Sequence, residues 1–248
     1  MFRHKGNRRT YVHNLRLASI LSFIAGVVNI SGVLSLNILT TNVTGHFAYF
    51  SEELVNNNYS IAFTFLLFIF FFLFGAFTSN VLIEIISRIR PRISHTLPMI
   101  FEVFILTYIG FYGYTNGKHI IACALLFAMG IQNSLVTQVS QSTVRTTHLT
   151  GLFTDLGIEL SQLIFYRKPS EIQKLSKSIY LRLIIIAFFF LGGIIGGFSF
   201  RFYQLKTLLL ASLFLVIAML YDSIRYHFYF YKRKILNAKS SQKAKSRL

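Results

Sequence analysis

Asp155 and Glu159 stand four residues apart in "TDLGIEL", so a helix presents both on one face, with Gln162 close to it. Carboxylates at or within a membrane belong to ion and proton paths often enough to make this pair a proton-coupling candidate. The alternative is interfacial pairing with Arg145, Arg167 or Lys168. Two phrases with the same grammar, TTNVTG at 40–45 and TTHLTG at 146–151, bring hydroxyls and glycine into an otherwise apolar chain. Threonine competes for backbone partners and suits helix breaks and caps. Thr44 and Thr150 are therefore expected as N-caps, with Gly45 and Gly151 letting another backbone approach. Free N–H groups at a helix start favour anions. Thr41, Thr44, Gly45, Thr147, Thr150 and Gly151 are accordingly candidate substrate contacts, with Asn29, Gln132 and Asn133, the polar residues inside apolar runs. The bland reading of the asparagines is a hydrogen bond between helices, worth about 0.6 kcal/mol. Glu102 opens an apolar run and is expected to snorkel to the membrane edge.

Other chemistry is poorly represented. Cys123 is the single cysteine, so neither an intramolecular disulfide nor a cysteine metal cluster can form. His46 and His148 fall on opposite sides of the topology below and cannot share a metal. No phosphate loop or dinucleotide fingerprint occurs, no cofactor is expected, and Asp155 and Glu159 have no Ser, His or Cys nucleophile beside them, so an enzyme is not expected.

The elements that must hold these residues are membrane helices. The 248 residues are 54% hydrophobic and 13% charged, about half the charged share of a soluble protein. Runs such as "FTFLLFIFFFLFGAF" have the length and continuity of spanning helices, not the alternation of a barrel strand. Six spans are predicted, over 15–38, 60–87, 97–114, 119–139, 179–200 and 205–223. The fold expected is all-α and polytopic. A basic N-terminus (1–14) precedes one transmembrane domain (15–223), and a basic tail (224–248) follows it. The six-span order puts 22 of the 25 Lys and Arg on one side, leaving Lys118, Arg201 and Lys206 on the other. Positive charge marks the cytoplasmic face, so both termini are expected inside the bacterial inner membrane. Charge dispersed over loops in this way argues against nucleic acid as a partner despite a net +17. Tyr59, Tyr112, Tyr114, Tyr180, Tyr203 and Tyr221 take the interfacial role that Trp, absent here, would fill.

The chain also repeats itself. "FIAGVVN" (23–29) aligns with "FAMGIQN" (127–133), the Thr-Gly phrases align next, and "FFFLFG" (70–75) aligns with "FFFLGG" (188–193). The offsets are 104, 106 and 118 residues. Glu53 becomes the counterpart of Glu159. Each half, about 15–115 and about 119–223, carries three spans, and an odd number makes the second half enter from the opposite side. The prediction is a pair of inverted repeats with broken helices at the Thr-Gly motifs. Gly192, Gly193, Gly196 and Gly197 form two overlapping small-residue steps, read as internal packing, with Gly75 and Ser79 as a weaker counterpart.

"AMGIQN" at 128–133 followed by "TVRTTHLTGLFTDLG" at 143–157 resembles the YoaK family of bacterial inner-membrane proteins, also called domain-of-unknown-function family 1275. The resemblance covers roughly 15–222. His46 stands where the family more often has Asn, and Asn29 where it often has Asp. The resemblance implies a multi-span bacterial membrane protein and brings no established activity. The expected function is that of a small-solute transporter with a site between the two halves and with lipid and an unknown small solute as partners. A membrane scaffold, homo-oligomeric or accessory, is the alternative, and a lipid-acting enzyme using Asp155 and Glu159 ranks last.

Overall fold

The computed structural model describes residues 10–91 and 93–221. The first nine residues, Arg92 and the basic tail, with the charges read there, lie outside the described residues, as does the side chain of Tyr114. The described chain is helical and contains no strand. Its helices are α1 (Tyr11–Leu36), α2 (Val43–Val55), α3 (Tyr59–Ile89), α4 (Thr96–Tyr112), α5 (Lys118–Ser140), α6 (Leu149–Phe165) and α7 (Pro169–Tyr203). A 3-10 turn, Gln204–Thr207, leads into α8 (208–221).

Every run predicted to span is helical. By length and composition, α1, α3, α5 and the continuous segment 169–221 are long and apolar enough to cross a membrane, and α4 is a shorter apolar helix of 17 residues. The largest boundary difference is at α7, which begins ten residues before the predicted 179, with Pro169 at its first turn. Its opening "SEIQKLSK" continues the helix although it is polar, because proline at N1 forfeits an amide that has no helical partner anyway. Helices also follow both Thr-Gly phrases. Tyr59, Tyr112, Tyr203 and Tyr221 are exposed near helix ends, as an interfacial role requires, whereas Tyr180 is exposed well inside α7.

Two parallel helix pairs make the frame: α1 with α7, and α3 with α5. The direction is set by Tyr11 donating to the Lys177 carbonyl (2.9 Å) near the start of α1 and α7. For the other pair, Gln138 donates to Asn80 (2.8 Å) toward the far ends of α5 and α3. Helix α8 runs back along α1, with Phe214 against Phe23 (4.9 Å) and the Arg16 guanidinium donating to the Tyr221 hydroxyl (3.0 Å). The start of α1 and the end of α8 therefore share one end of the bundle. α4 packs chiefly on α5.

Glycine sets how closely each pair crosses. A Cβ at Gly26 would fall on the Phe189 carbonyl oxygen, and one at Gly192 on that of Phe23. In the other pair a Cβ at Gly130 would fall on the Phe72 oxygen, and one at Gly75 on that of Phe127. Such backbone-to-backbone approach is what small residues permit between membrane helices. Phe23 and Phe127, like Gly26 and Gly130, lie 104 residues apart; Phe72 and Phe189, like Gly75 and Gly192, lie 117 apart. The Phe-rich runs thus correspond one residue out of the register given by their letters. Gly75 matches Gly192, whereas Gly193 meets nothing within 4 Å. α1 and α5 also stop alike, on Asn37 (φ 59°) and Gln141 (φ 53°), left-handed residues 104 positions apart.

Candidate functional site

After its left-handed stop, each phrase turns back onto the helix it has just left. Thr41 donates to the Asn29 side-chain oxygen (3.0 Å) and Thr147 to that of Asn133 (2.6 Å). Asn29 and Asn133 lie three residues beyond Gly26 and Gly130, about 4.5 Å along the helix from each crossing. The burial pattern repeats as well. Thr40 and Thr146 are fully buried, Thr41 and Thr147 half-buried, and Thr44 and Thr150 exposed. The hydroxyls of Thr40 and Thr146 both lack a hydrogen-bond partner, which is costly for buried polar groups.

The caps are not the threonines. Asn42 caps α2, its side-chain oxygen accepting from the Gly45 N–H at 3.0 Å, and His148 holds the same position before α6. Thr44 and Thr150 sit at the second helical position. Gly45 and Gly151 make room for the capping side chains rather than for another backbone. A Cβ at Gly151 would fall on the His148 ring, and one at Gly45 would come within 3.1 Å of the Asn42 amide. A three-residue spacing between the residue at the cap position and the glycine carried this signal in both phrases.

Each short helix then lies along the long helix that follows it. His46 on α2 packs on Phe65 (6.1 Å) and Phe68 (5.5 Å) of α3, and its Nε2 is 2.9 Å from the Leu39 carbonyl oxygen. Tyr49 stacks on Phe65 at 5.2 Å. Phe65 is six residues into α3, so the start of α2 lies well below the end of the bundle at which α3 begins. In the second half, Arg182 occupies the position matching Phe65, and Asp155 that matching Tyr49. The aromatic stack is replaced by ions. Arg182 donates to Asp155 at 2.8 Å and to both oxygens of Glu159 at 2.8 and 2.9 Å, while Ser178 adds a bond to Glu159 at 2.6 Å. Asp155 and Glu159 share a face as expected. Their partner is Arg182 of α7, not Arg145, Arg167 or Lys168. Burial pushes the Glu159 carboxyl up, but the bonds from Arg182 and Ser178 and the guanidinium charge outweigh it and hold it below the usual carboxylate range. Glu53 instead accepts from Asn58 (2.8 Å).

Gln132 is fully buried, and both its amide atoms lack a partner. Glu102 departs furthest from expectation. It does not snorkel: it is 0% exposed, and neither carboxyl oxygen has a hydrogen-bond partner. Sequence position near the start of α4 suggested an edge residue. The buried face of α4, with Met99, Leu106 and Ile109, carries Glu102 inward with it. An apolar groove of about 270 Å³, lined by Ile86, Ile89, Ile93, Leu97 and Ile100, lies where α3 gives way to α4, away from both phrases. No cluster of three or more His, Cys, Asp or Glu suited to a metal occurs among the described residues.

Comparison with known proteins points to a membrane protein. The chain is 25% identical over 183 residues to the UPF0700 transmembrane protein YoaK of Bacillus subtilis (strain 168), a match covering 72% of this chain and 80% of that protein. No solved structure matches. The family model described as "Protein of unknown function (DUF1275)" matches residues 17–221, and the chain belongs to that family of membrane proteins.

Proposed function

We propose that this protein is a small-solute transporter of the bacterial inner membrane, built from inverted three-span repeats, with its site between the halves. The observation that carries the reading is the matched clasp. Asn29–Thr41 and Asn133–Thr147 tie the base of a short helix, once in each half, one turn from a glycine crossing. Transporters with inverted repeats use such interrupted helices near the midplane, where free amides and threonine hydroxyls meet the solute. The fully buried, unpartnered hydroxyls of Thr40 and Thr146 suit an arrangement closed around the site. Gln132, Thr44, Thr150, Gly45 and Gly151 complete the proposed lining. The six helices 11–36, 59–89, 96–112, 118–140, 169–203 and 208–221 are the proposed spans, with both termini cytoplasmic in accord with the charge map.

The scaffold reading draws less support, because Gly192 and Gly196 are occupied by α1 of the same chain. Of the four α7 glycines, Gly193 alone meets nothing within 4 Å. A lipid-acting enzyme is disfavoured because Asp155 and Glu159 are committed to Arg182. The transporter reading is tested with purified full-length protein in liposomes, screened for uptake of panels of small anions, amines and neutral metabolites under an imposed proton gradient. Uptake by wild type that falls at least tenfold in the Thr41→Val, Thr147→Val double variant supports it. Uptake equal to empty liposomes across the panels contradicts it.

A further inference from the structure

Glu102 is the one fully buried acidic residue among those described. A carboxylate without a partner in an apolar interior is among the costliest groups a fold can hold. It is tolerated as a neutral acid, or where it serves a function. Three unpartnered, fully buried polar side chains come from adjacent helices: Ser79 of α3, Glu102 of α4 and Gln132 of α5. Glu102 is six residues from the start of α4, Ser79 ten from the end of α3 and Gln132 eight from the end of α5. At 1.5 Å per residue Glu102 lies about 9 Å into α4, well inside that helix. The elements packed on α4 also carry Glu84, Arg88, Lys118, His119 and Lys206, all exposed, and Cys123, which packs in the separate cluster around Phe68; His95 is buried just before α4 but makes no hydrogen bond to the Glu102 carboxyl. None supplies a countercharge.

We propose that Glu102 is a proton-exchanging carboxyl, closed off in this conformation, and that it, rather than Asp155 or Glu159, is the group that couples to protons. The second clause rests on the transporter reading; the first does not. The contrast between the sites is chemical. Asp155 and Glu159 share a fixed guanidinium that stabilises their ionised form, and protonating them requires breaking that pair. Glu102 has nothing to break. When α4 and α5 separate and water enters, the acid can release its proton to that water, and it recovers one from either side before the helices close. α4 packs chiefly on α5, the helix that carries buried, unpartnered Gln132 and the Asn133–Thr147 clasp.

The test is infrared spectroscopy of the full-length protein in lipid at neutral pH, in H2O and then D2O, on wild type and Glu102→Gln. The expected result is a carboxylic-acid C=O band in wild type that moves to lower frequency within hours in D2O and is missing from Glu102→Gln. If that variant fails to fold, Glu102→Asp carries the assignment through a displaced band. A band that persists in Glu102→Gln, that is absent from wild type, or that never shifts in D2O overturns the proposal. None of these readings depends on a transported solute, so failure of the transport screen leaves the result intact. Once a solute is known, Glu102→Gln is expected to keep solute exchange while losing acceleration by a proton gradient. Loss of that acceleration in Asp155→Asn and not in Glu102→Gln overturns the coupling clause.

Discussion

Thr41 and Thr147 bond to asparagines that chain position alone does not bring near them. A membrane hydrogen bond of this kind is worth about 0.6 kcal/mol on average. Thr41→Val and Thr147→Val should each lower stability by about that much, with Asn29→Leu adding nothing further in the Thr41→Val background. Denaturation of a double-mutant cycle in mild detergent checks this, and fully additive losses would break the pairing. The Arg182 cluster gives a pH prediction. Glu159 has its folded carboxyl held below the ordinary value of about 4.5, so its contribution is present above that value and is lost as pH falls through the lower folded one. Unfolding of wild type should therefore become easier on acidification below about pH 4.5. Arg182→Met should be less stable at neutral pH by ~1–3 kcal/mol, since Glu159 keeps only Ser178, and should lose this part of the acid dependence. Asp155 is half exposed and adds little. At this scale the sequence revealed the Asp155–Glu159 face but not its cation, because Arg182 counted among the loop charges and its closeness depends on α6 folding along α7. Glu102 was misjudged for a related reason: distance from a helix end says nothing about which side of the helix is buried.

At the scale of elements, the glycine crossings define the frame. Gly26→Ala and Gly130→Ala each put a methyl on a backbone carbonyl of the facing helix, which cannot yield as a side chain can. Each should cost about 1–3 kcal/mol, whereas Gly193→Ala, with nothing within 4 Å, should fall within about 0.5 kcal/mol of wild type. Thermal melts of the three variants in one detergent make the comparison, and equal losses for all three would contradict the crossing geometry. Apolar run length fixed the long helices to within a few residues at most of their ends. The helices after the Thr-Gly phrases were less legible. α2 and α6 are 13 and 17 residues long, with only His46 buried on α2 and only Leu152 and Leu156 on α6. Hydropathy windows sized for a bilayer pass over such segments. The N-cap assignment failed because the helices begin one residue before Thr44 and Thr150, at Val43 and Leu149, which leaves Asn42 and His148 at the cap position.

The whole molecule is two parallel helix pairs joined across a shared core, with one short helix folded along a long helix in each half. Repetition was visible in the sequence as matched letters, and its physical basis lies in recurring contacts: the same left-handed stop, the same threonine clasp and the same carbonyl-on-glycine crossing. The halves diverge where each short helix meets the long one, with Tyr49 on Phe65 in the first and Asp155 on Arg182 in the second. One short helix is held by an aromatic stack and the other by an ion pair, which gives the two halves different responses to pH and salt. The inverted arrangement proposed here predicts that the two Thr-Gly phrases face opposite sides of the membrane. Thr44 and Thr150 are exposed, and the native thiol can be removed by Cys123→Ser. Single variants Thr44→Cys and Thr150→Cys in that background should react with a membrane-impermeant maleimide from opposite sides, position 44 in intact spheroplasts and position 150 in inside-out vesicles. Labelling of both positions from the same side alone would contradict the inverted arrangement.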